Sequence, residues 1–325
     1  MKRIGVMKES RHTYLFGVFF NEWDPEAIDK ARGGPLPHHA QFAAFRPQLP
    51  LADLGVRMVK VWDYDYQAAQ RFAATFKGVE AVRDRAEMLE AGLDGIFLSE
   101  SFEDGIDHLA LATPFLKAGI PVFVDKPFSS TLADARALIA TAEHAKTAVM
   151  SASLLGQTPT AAELREQAKR INACTLTVAG FGPLISFGVH LVSICHAIFG
   201  TDVRAVHNVG TVACDHVRLL YGVRDAIEAP GRSYDPRSAV LNVLHEGAFF
   251  DYDVGLYGSG GQVLGKIRRE EYLNGVHGLI LLFKQMLETK RPPIPYEIQL
   301  EELKVLHAAK LSRALEREVA LAELD

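Results

Sequence analysis

Lys126 occupies a position where an ammonium group could do chemistry. It follows Val122-Phe123-Val124-Asp125 and precedes Pro127, so an apolar run ends on an acid, a cation and a proline. A short apolar, β-branched run bounded by turn residues reads as a strand covered on both faces. Proline restricts the residue before it to extended backbone and ends the ladder. Lys126 is therefore expected at the carboxyl end of a parallel strand, the edge of an open α/β sheet where ligands bind. A second cluster follows the first strand, in the turn Met7-Lys8-Glu9-Ser10-Arg11-His12. Ser10, Arg11 and His12 are its candidate cofactor contacts, because a helix N-terminus with a hydroxyl and nearby cations suits an anion. The turn has no G-x-G-x-x-G, since no glycine occurs between Met7 and Gly17. Any Cβ crowds the approach to a pyrophosphate, and an ordinary polar βα turn fits these residues equally well. Asp63 follows the second strand directly. A carboxylate there would accept hydrogen bonds from an adenosine ribose and repel a 2′-phosphate, which favours NAD over NADP; a turn-forming aspartate in Trp62-Asp63-Tyr64-Asp65 is the competing reading.

The elements that must position these groups alternate between strand and helix. Strands are expected at Arg3–Met7, Val56–Trp62, Val79–Val82, Gly95–Leu98, Val122–Val124 and Thr147–Leu154. Helices are expected at Tyr66–Phe76, Arg85–Ala91 and His108–Lys117, with another from a Thr131 cap to about His144. Such alternation predicts a parallel sheet with helices on both faces. About 48 residues separate the first two strands, where a βαβ unit uses about 30 in all. The excess, residues 21–54, reads as an insertion covering a cleft mouth. His38 and His39 lie in it without a third ligand at helical spacing, so no metal site is expected.

From about Ala161 the pattern changes to an α+β order. A helix leads into a β-rich run at Cys174–Val178 and then an apolar stretch containing His190. Further strands are expected at Ala205–Val209, Ala239–Leu244 and Ala248–Tyr252, and helices at Glu271–Leu287 and Ile298–Glu316. The reading is an α/β chain with a Rossmann-like domain at 1–155 and a domain with a large mixed or antiparallel sheet at 156–325.

Three motifs resemble the glucose–fructose oxidoreductase / inositol dehydrogenase (Gfo/Idh/MocA) family. His108-LALATPFLKAGIPVFV-Asp125-Lys126-Pro127 resembles its H-x(10)-G…E-K-P segment, with aspartate for glutamate. GPLISFGVHLVSICHAIFG resembles its G-x-L-x-D-x-G-x-H-x-x-D stretch, and RPPIPYEIQLEELKVLHAA resembles its closing segment. The resemblance implies NAD(P)-dependent hydride transfer from a carbohydrate-like hydroxy compound. Lys126 matches the lysine that contacts cofactor and reacting hydroxyl, His190 the general base, and Ser99 and Glu100 stand where the family contacts cofactor. Imidazole takes a proton near neutral pH, and an ammonium stabilises developing alkoxide charge. Ser186 replaces the family's aspartate four residues before His190, removing the carboxylate that would orient or charge that ring. The missing glycines and Ser186 keep two alternatives open: a non-redox lyase, hydrolase or epimerase on the same scaffold, and a cofactor-free binding protein.

Composition bounds the remaining possibilities. With 325 residues, a net charge of −5 and no basic block, neither nucleic acid nor an anionic membrane is an expected partner. The three cysteines form neither a disulfide framework nor a metal pattern. No leader or membrane span is evident, so a cytoplasmic enzyme is expected. By resemblance it would pair as a homodimer or homotetramer.

Overall fold

The computed structural model describes residues 1–30, 54–99, 103–222, 237–246 and 251–325. They form two compact units, Met1–Ala152 with Val276–Tyr296, and Ser153–Gly275 with Glu297–Asp325. The segment Val276–Tyr296, assigned to the second domain by the sequence reading, belongs instead to the first unit.

The first unit runs β1 (Lys2–Met7), α1 (Arg11–Phe20), α2 (Pro25–Lys30), β2 (Val56–Trp62), α3 (Tyr66–Thr75), β3 (Glu80–Ala81), α4 (Arg85–Glu90), β4 (Gly95–Leu98), α5 (His108–Lys117), β5 (Val122–Val124), α6 (Leu132–His144) and β6 (Val149–Met150). Its strands are all parallel, in the order β3-β2-β1-β4-β5-β6. The order reverses between β1 and β4, a switch point beyond whose carboxyl ends open α/β sheets place the crevice that binds ligands. Apolar runs make the central strands: Ile4, Val6, Ile96, Leu98, Val122 and Val124 are fully buried. Phe97 and Phe123 stand opposite one another in register. Phe16 of α1 lies 4.6 and 5.7 Å from their rings, and Phe283 lies 5.6 Å from Phe123. The buried residues Val276, Leu279, Ile280, Phe283, Met286 and Leu287 fall at helical spacing, which is why this late segment packs with the first unit. Side-chain caps start several helices: Asp65 accepts from Gln67 N, and Thr131 from Asp134 N.

Two expectations fail locally. The strand expected at Thr147–Leu154 is only Val149–Met150, because Ser153 caps a 3-10 turn at Leu154–Gln157 and draws the backbone out of the sheet. Of the insertion at 21–54, α2 is described, whereas His38 and His39 lie outside the described residues.

The second unit runs α7 (Pro159–Arg170), β7 (Ala173–Phe181), α8 (Leu184–Phe199), β8 (Val203–Asn208), β9 (Cys214–Tyr221), β10 (Ser238–Leu244), β11 (Tyr252–Gly258) and β12 (Gly261–Ile267). Helix α9 (Tyr272–Thr289) begins in it and continues into the first unit; α10 (Tyr296–Leu315) and β13 (Val319–Ala320) close the chain. The strand order is β12-β11-β7-β10-β9-β8-β13, with β7 and β10 parallel and the other pairs antiparallel. Burial alternates along β7, β9 and β10, the period-two signature of a sheet covered on one face. Helix α8 packs on β7 and β10. Asn208 ties β8 to α10, its N–H donating to Ser312 Oγ at 2.9 Å and its Nδ2 to Ala309 O at 3.2 Å.

Candidate functional site

In the first unit the site is built around the β1–β4 crevice. Lys8 follows β1 with φ 73°, a left-handed conformation that a lysine adopts less readily than the glycine usual at such a turn. Its N–H donates to Trp62 O at 2.7 Å. Its ammonium, almost buried, lies 3.4 Å from Asp107 Oδ2 and 5.7 Å from the Tyr64 ring centroid. Tyr64 O–H also donates to Asp107, at 3.4 Å. Burial, then the Asp107 charge, push the Tyr64 phenol above its usual range.

The following residues close the turn with side chains in place of glycines. Glu9 N–H donates to Asp63 Oδ2 at 2.6 Å, and Asp65 N–H to Asp63 Oδ1 at 2.9 Å. The Glu9 carboxylate accepts from Tyr14 O–H at 2.7 Å and from Arg71 Nη2 at 2.8 Å. Ser10 is the N-cap of α1: its hydroxyl accepts from His12 N and Thr13 N, while Ser10 N–H donates to Thr13 Oγ1 at 2.7 Å. Ser10 Oγ also meets Ser99 Oγ at 2.5 Å, bridging the ends of β1 and β4. Arg11 is exposed.

At the end of β5, Asp125 N–H donates to Leu98 O at 2.8 Å, and Asp125 Oδ1 accepts from Lys126 N at 2.8 Å. Asp125 Oδ2 lies 2.5 Å from His12 Nδ1. Burial alone would raise the Asp125 carboxyl, but the charge and hydrogen bond of His12, together with Lys126, hold it below the usual carboxylate range. Lys126 is 5% exposed, and its bond to Pro127 is cis. His108 is fully buried and donates from Nδ1 to Phe128 O at 3.1 Å; burial lowers its pKa, so it is a neutral structural residue.

The structure thus gathers Ser10, His12, Ser99, Lys126 and, through Glu9, Asp63 along one edge of the first sheet. Glu100 lies outside the described residues. Sequence reasoning named Lys8 as a cation of the turn and Asp125 as part of the motif but missed Asp107 and both pairings, which join residues 99 and 113 apart in the chain. The signal available for Asp125 was its place beside Lys126.

His190 lies on α8 in the second unit, 7% exposed. Its Nδ1 is 2.7 Å from Ser153 Oγ, which also accepts from Leu155 N at 3.2 Å. The ring edge meets Phe187 and Tyr252 at centroid distances of 5.9 and 6.1 Å. Tyr252 hydrogen-bonds Tyr272, and burial pushes both phenols well up. A hydroxyl from the start of the second unit therefore orients the imidazole, and Ser186 stands one helical turn before it. Among the described residues no group of three or more His, Cys, Asp or Glu could hold a metal ion, and no helix is long and apolar enough to cross a membrane.

Residues 33–153 match the family model described as "Oxidoreductase family, NAD-binding Rossmann fold", GFO_IDH_MocA. Solved structures similar in fold include a probable dehydrogenase from Thermotoga maritima (TM-score 0.74, 16% identity, covering 99% of this chain and 100% of that one). A putative myo-inositol dehydrogenase from Sinorhizobium meliloti gives a TM-score of 0.75 at 16% identity, with 99% and 100% covered. GenD2 from gentamicin A biosynthesis, solved in complex with NAD, gives 0.71 at 16% identity, with 98% and 96% covered. No curated protein matches the chain.

Proposed function

We propose that this chain, whose residues 33–153 match the Gfo/Idh/MocA oxidoreductase family model, is an NAD-dependent oxidoreductase of that family acting on a sugar, polyol or related hydroxy compound. The observation that carries the reading is the row of polar side chains at the carboxyl edge of a parallel sheet, running from Asp63 through Ser10 and Ser99 to Lys126.

These residues fit a dinucleotide in a particular way. Asp63 uses one lone pair on each oxygen for backbone N–H groups, and an ionised carboxylate has about four acceptor sites. It retains capacity for a ribose diol, and its charge disfavours a 2′-phosphate. The N-terminus of α1 and the exposed Arg11 offer the positive end that a pyrophosphate needs. Bound there, the nicotinamide would supply a hydride acceptor. The chain's own contribution is to hold the substrate hydroxyl, offset negative charge on its oxygen with the Lys126 ammonium, and take its proton on an imidazole. Burial of Lys126 strengthens that electrostatic help, because charges interact more strongly away from bulk water.

One observation favours a second reading, a non-redox enzyme on the same scaffold. The N–H groups of Glu9, Ser10, His12 and Thr13 already have acceptors in Asp63, Thr13 and Ser10, so a phosphate would have to displace some of them. Thermal shift with NAD, NADH, NADP and NADPH separates the two. The oxidoreductase reading expects stabilisation by NAD or NADH, about 2.7 kcal/mol at a hundredfold excess over Kd. No response to any of the four overturns it in favour of the second.

A further inference from the structure

We propose that His12, oriented by Asp125, is an acid–base residue of the crevice, taking the substrate's hydroxyl proton on Nε2 beside the Lys126 ammonium. The proposal deepens the oxidoreductase reading and rests on it for the identity of the substrate.

The argument begins with the carboxylate. Asp125 is 3% exposed, yet its carboxyl is fixed at both oxygens, by Lys126 N at 2.8 Å and by His12 Nδ1 at 2.5 Å. An ionised carboxylate only accepts hydrogen bonds, so Nδ1 must carry a proton. In the neutral ring the lone pair is then on Nε2, the nitrogen away from Asp125. A buried carboxylate behind an imidazole fixes its tautomer and stabilises the imidazolium that forms when the far nitrogen takes a proton. The ring is not sealed in, since its side chain is 21% exposed.

Position supplies the second argument. His12 belongs to the first turn of α1 and Asp125 follows β5, so the pair spans the end of the sheet at which Lys126 is the next residue. Here an imidazole has a carboxylate partner. His190 is instead paired with the neutral Ser153 hydroxyl. The carboxylate–imidazole couple that Ser186 no longer provides in the second unit is present in the first.

The step is a simple proton transfer. The substrate O–H bond breaks and an Nε2–H bond forms; the ring becomes imidazolium, the oxygen gains the negative charge that Lys126 offsets, and the proton leaves Nε2 to water afterwards.

A merely structural pin between α1 and β5 needs only the Nδ1 donor, and the test exploits that. His12→Asn keeps a donor that can reach Asp125 but removes the base. Turnover is followed with NAD and a panel of myo-inositol, D-glucose and L-tartrate, with NAD binding and melting temperature measured alongside. The expected result is a wild-type melting temperature, with turnover at saturating NAD lowered roughly 10²–10⁴-fold. A wild-type rate in His12→Asn overturns the proposal. Two readouts on the protein without cofactor decide it even if no compound in the panel is turned over. Nitrogen-15 NMR should show the neutral His12 ring protonated at Nδ1, and diethyl pyrocarbonate should modify His12 about tenfold faster than in Asp125→Asn. A ring protonated at Nε2, or a His12 indifferent to Asp125→Asn, overturns it. Failure of wild-type protein to bind any nicotinamide cofactor would instead remove the oxidoreductase reading, leaving those two measurements to judge the dyad.

Discussion

Side chains have replaced glycine as the means of shaping the turn after β1. Lys8 adopts the left-handed backbone itself, Ser10 caps the helix, and Asp63 reaches across to hold Glu9 N. Asp63 fixes the turn and, in the proposed function, also recognises a ribose. Asp63→Ala is expected to lower NAD affinity by about tenfold or more, since a charge-assisted hydrogen bond contributes roughly 1.5–3 kcal/mol. It should also narrow the preference for NAD over NADP by removing the charge that repels a 2′-phosphate; calorimetry with both cofactors measures each effect. The positions of Ser10, His12, Asp63, Ser99 and Lys126 beside strand ends and the helix start were legible, because periodicity changes there. Their partners were not. Asp125 for His12, Asp107 for Lys8 and Ser153 for His190 are joined to them only by the fold, and one sequence carries no trace of pairings across 37 to 113 residues.

Elements with a strong apolar run were legible almost to the residue, as β2, β4, β5 and α5 show. The strand expected at 147–154 was not, because a serine cap redirected the chain while its side chains stayed apolar. Strand β12 carries Gly261 and Gly265 and is mostly exposed, so it gives little alternation to read. Packing of β4 and β5 depends on one aromatic cluster, and Phe123 is its shared member. Phe123→Ala should cost about 3–5 kcal/mol, measured as a lower denaturant midpoint, whereas Phe123→Leu should lose much less. Helix α10 offers a test by pH. Burial pushes the Glu302 carboxyl up to about 7, against the opposing pull of His196 and Ser193. Its folded pKa exceeds its unfolded one, so the protonated form favours folding. That contribution is fully present below the ordinary glutamate value of 4.5 and is lost as pH rises through about 7. The Glu302→Gln variant should lose less stability than wild type between pH 6 and pH 8, as read from chemical denaturation at each pH.

The architecture of the whole chain was legible from the order of its elements, since strand–helix alternation followed by a strand-rich half admits few folds. The path of the chain between the two units was not. A helical pattern near the C-terminus says that a helix forms, not which sheet its apolar stripe will cover. Separate production of residues 1–152 should therefore give an aggregating or molten species, with near-ultraviolet dichroism lost. Joining residues 276–296 to it through a flexible linker should restore a cooperative melt.

The return of Val276–Tyr296 also bears on how the molecule is made. A ribosome releases the early strands long before it has synthesised Phe283 and Leu287, so the nascent first half must wait, unfinished and with an apolar surface uncovered, for nearly the entire message to be read. Completion of the nucleotide-binding half is thereby postponed until its partner half has largely emerged, and a chain stopped prematurely anywhere before that helix would yield no stable cofactor-binding remnant.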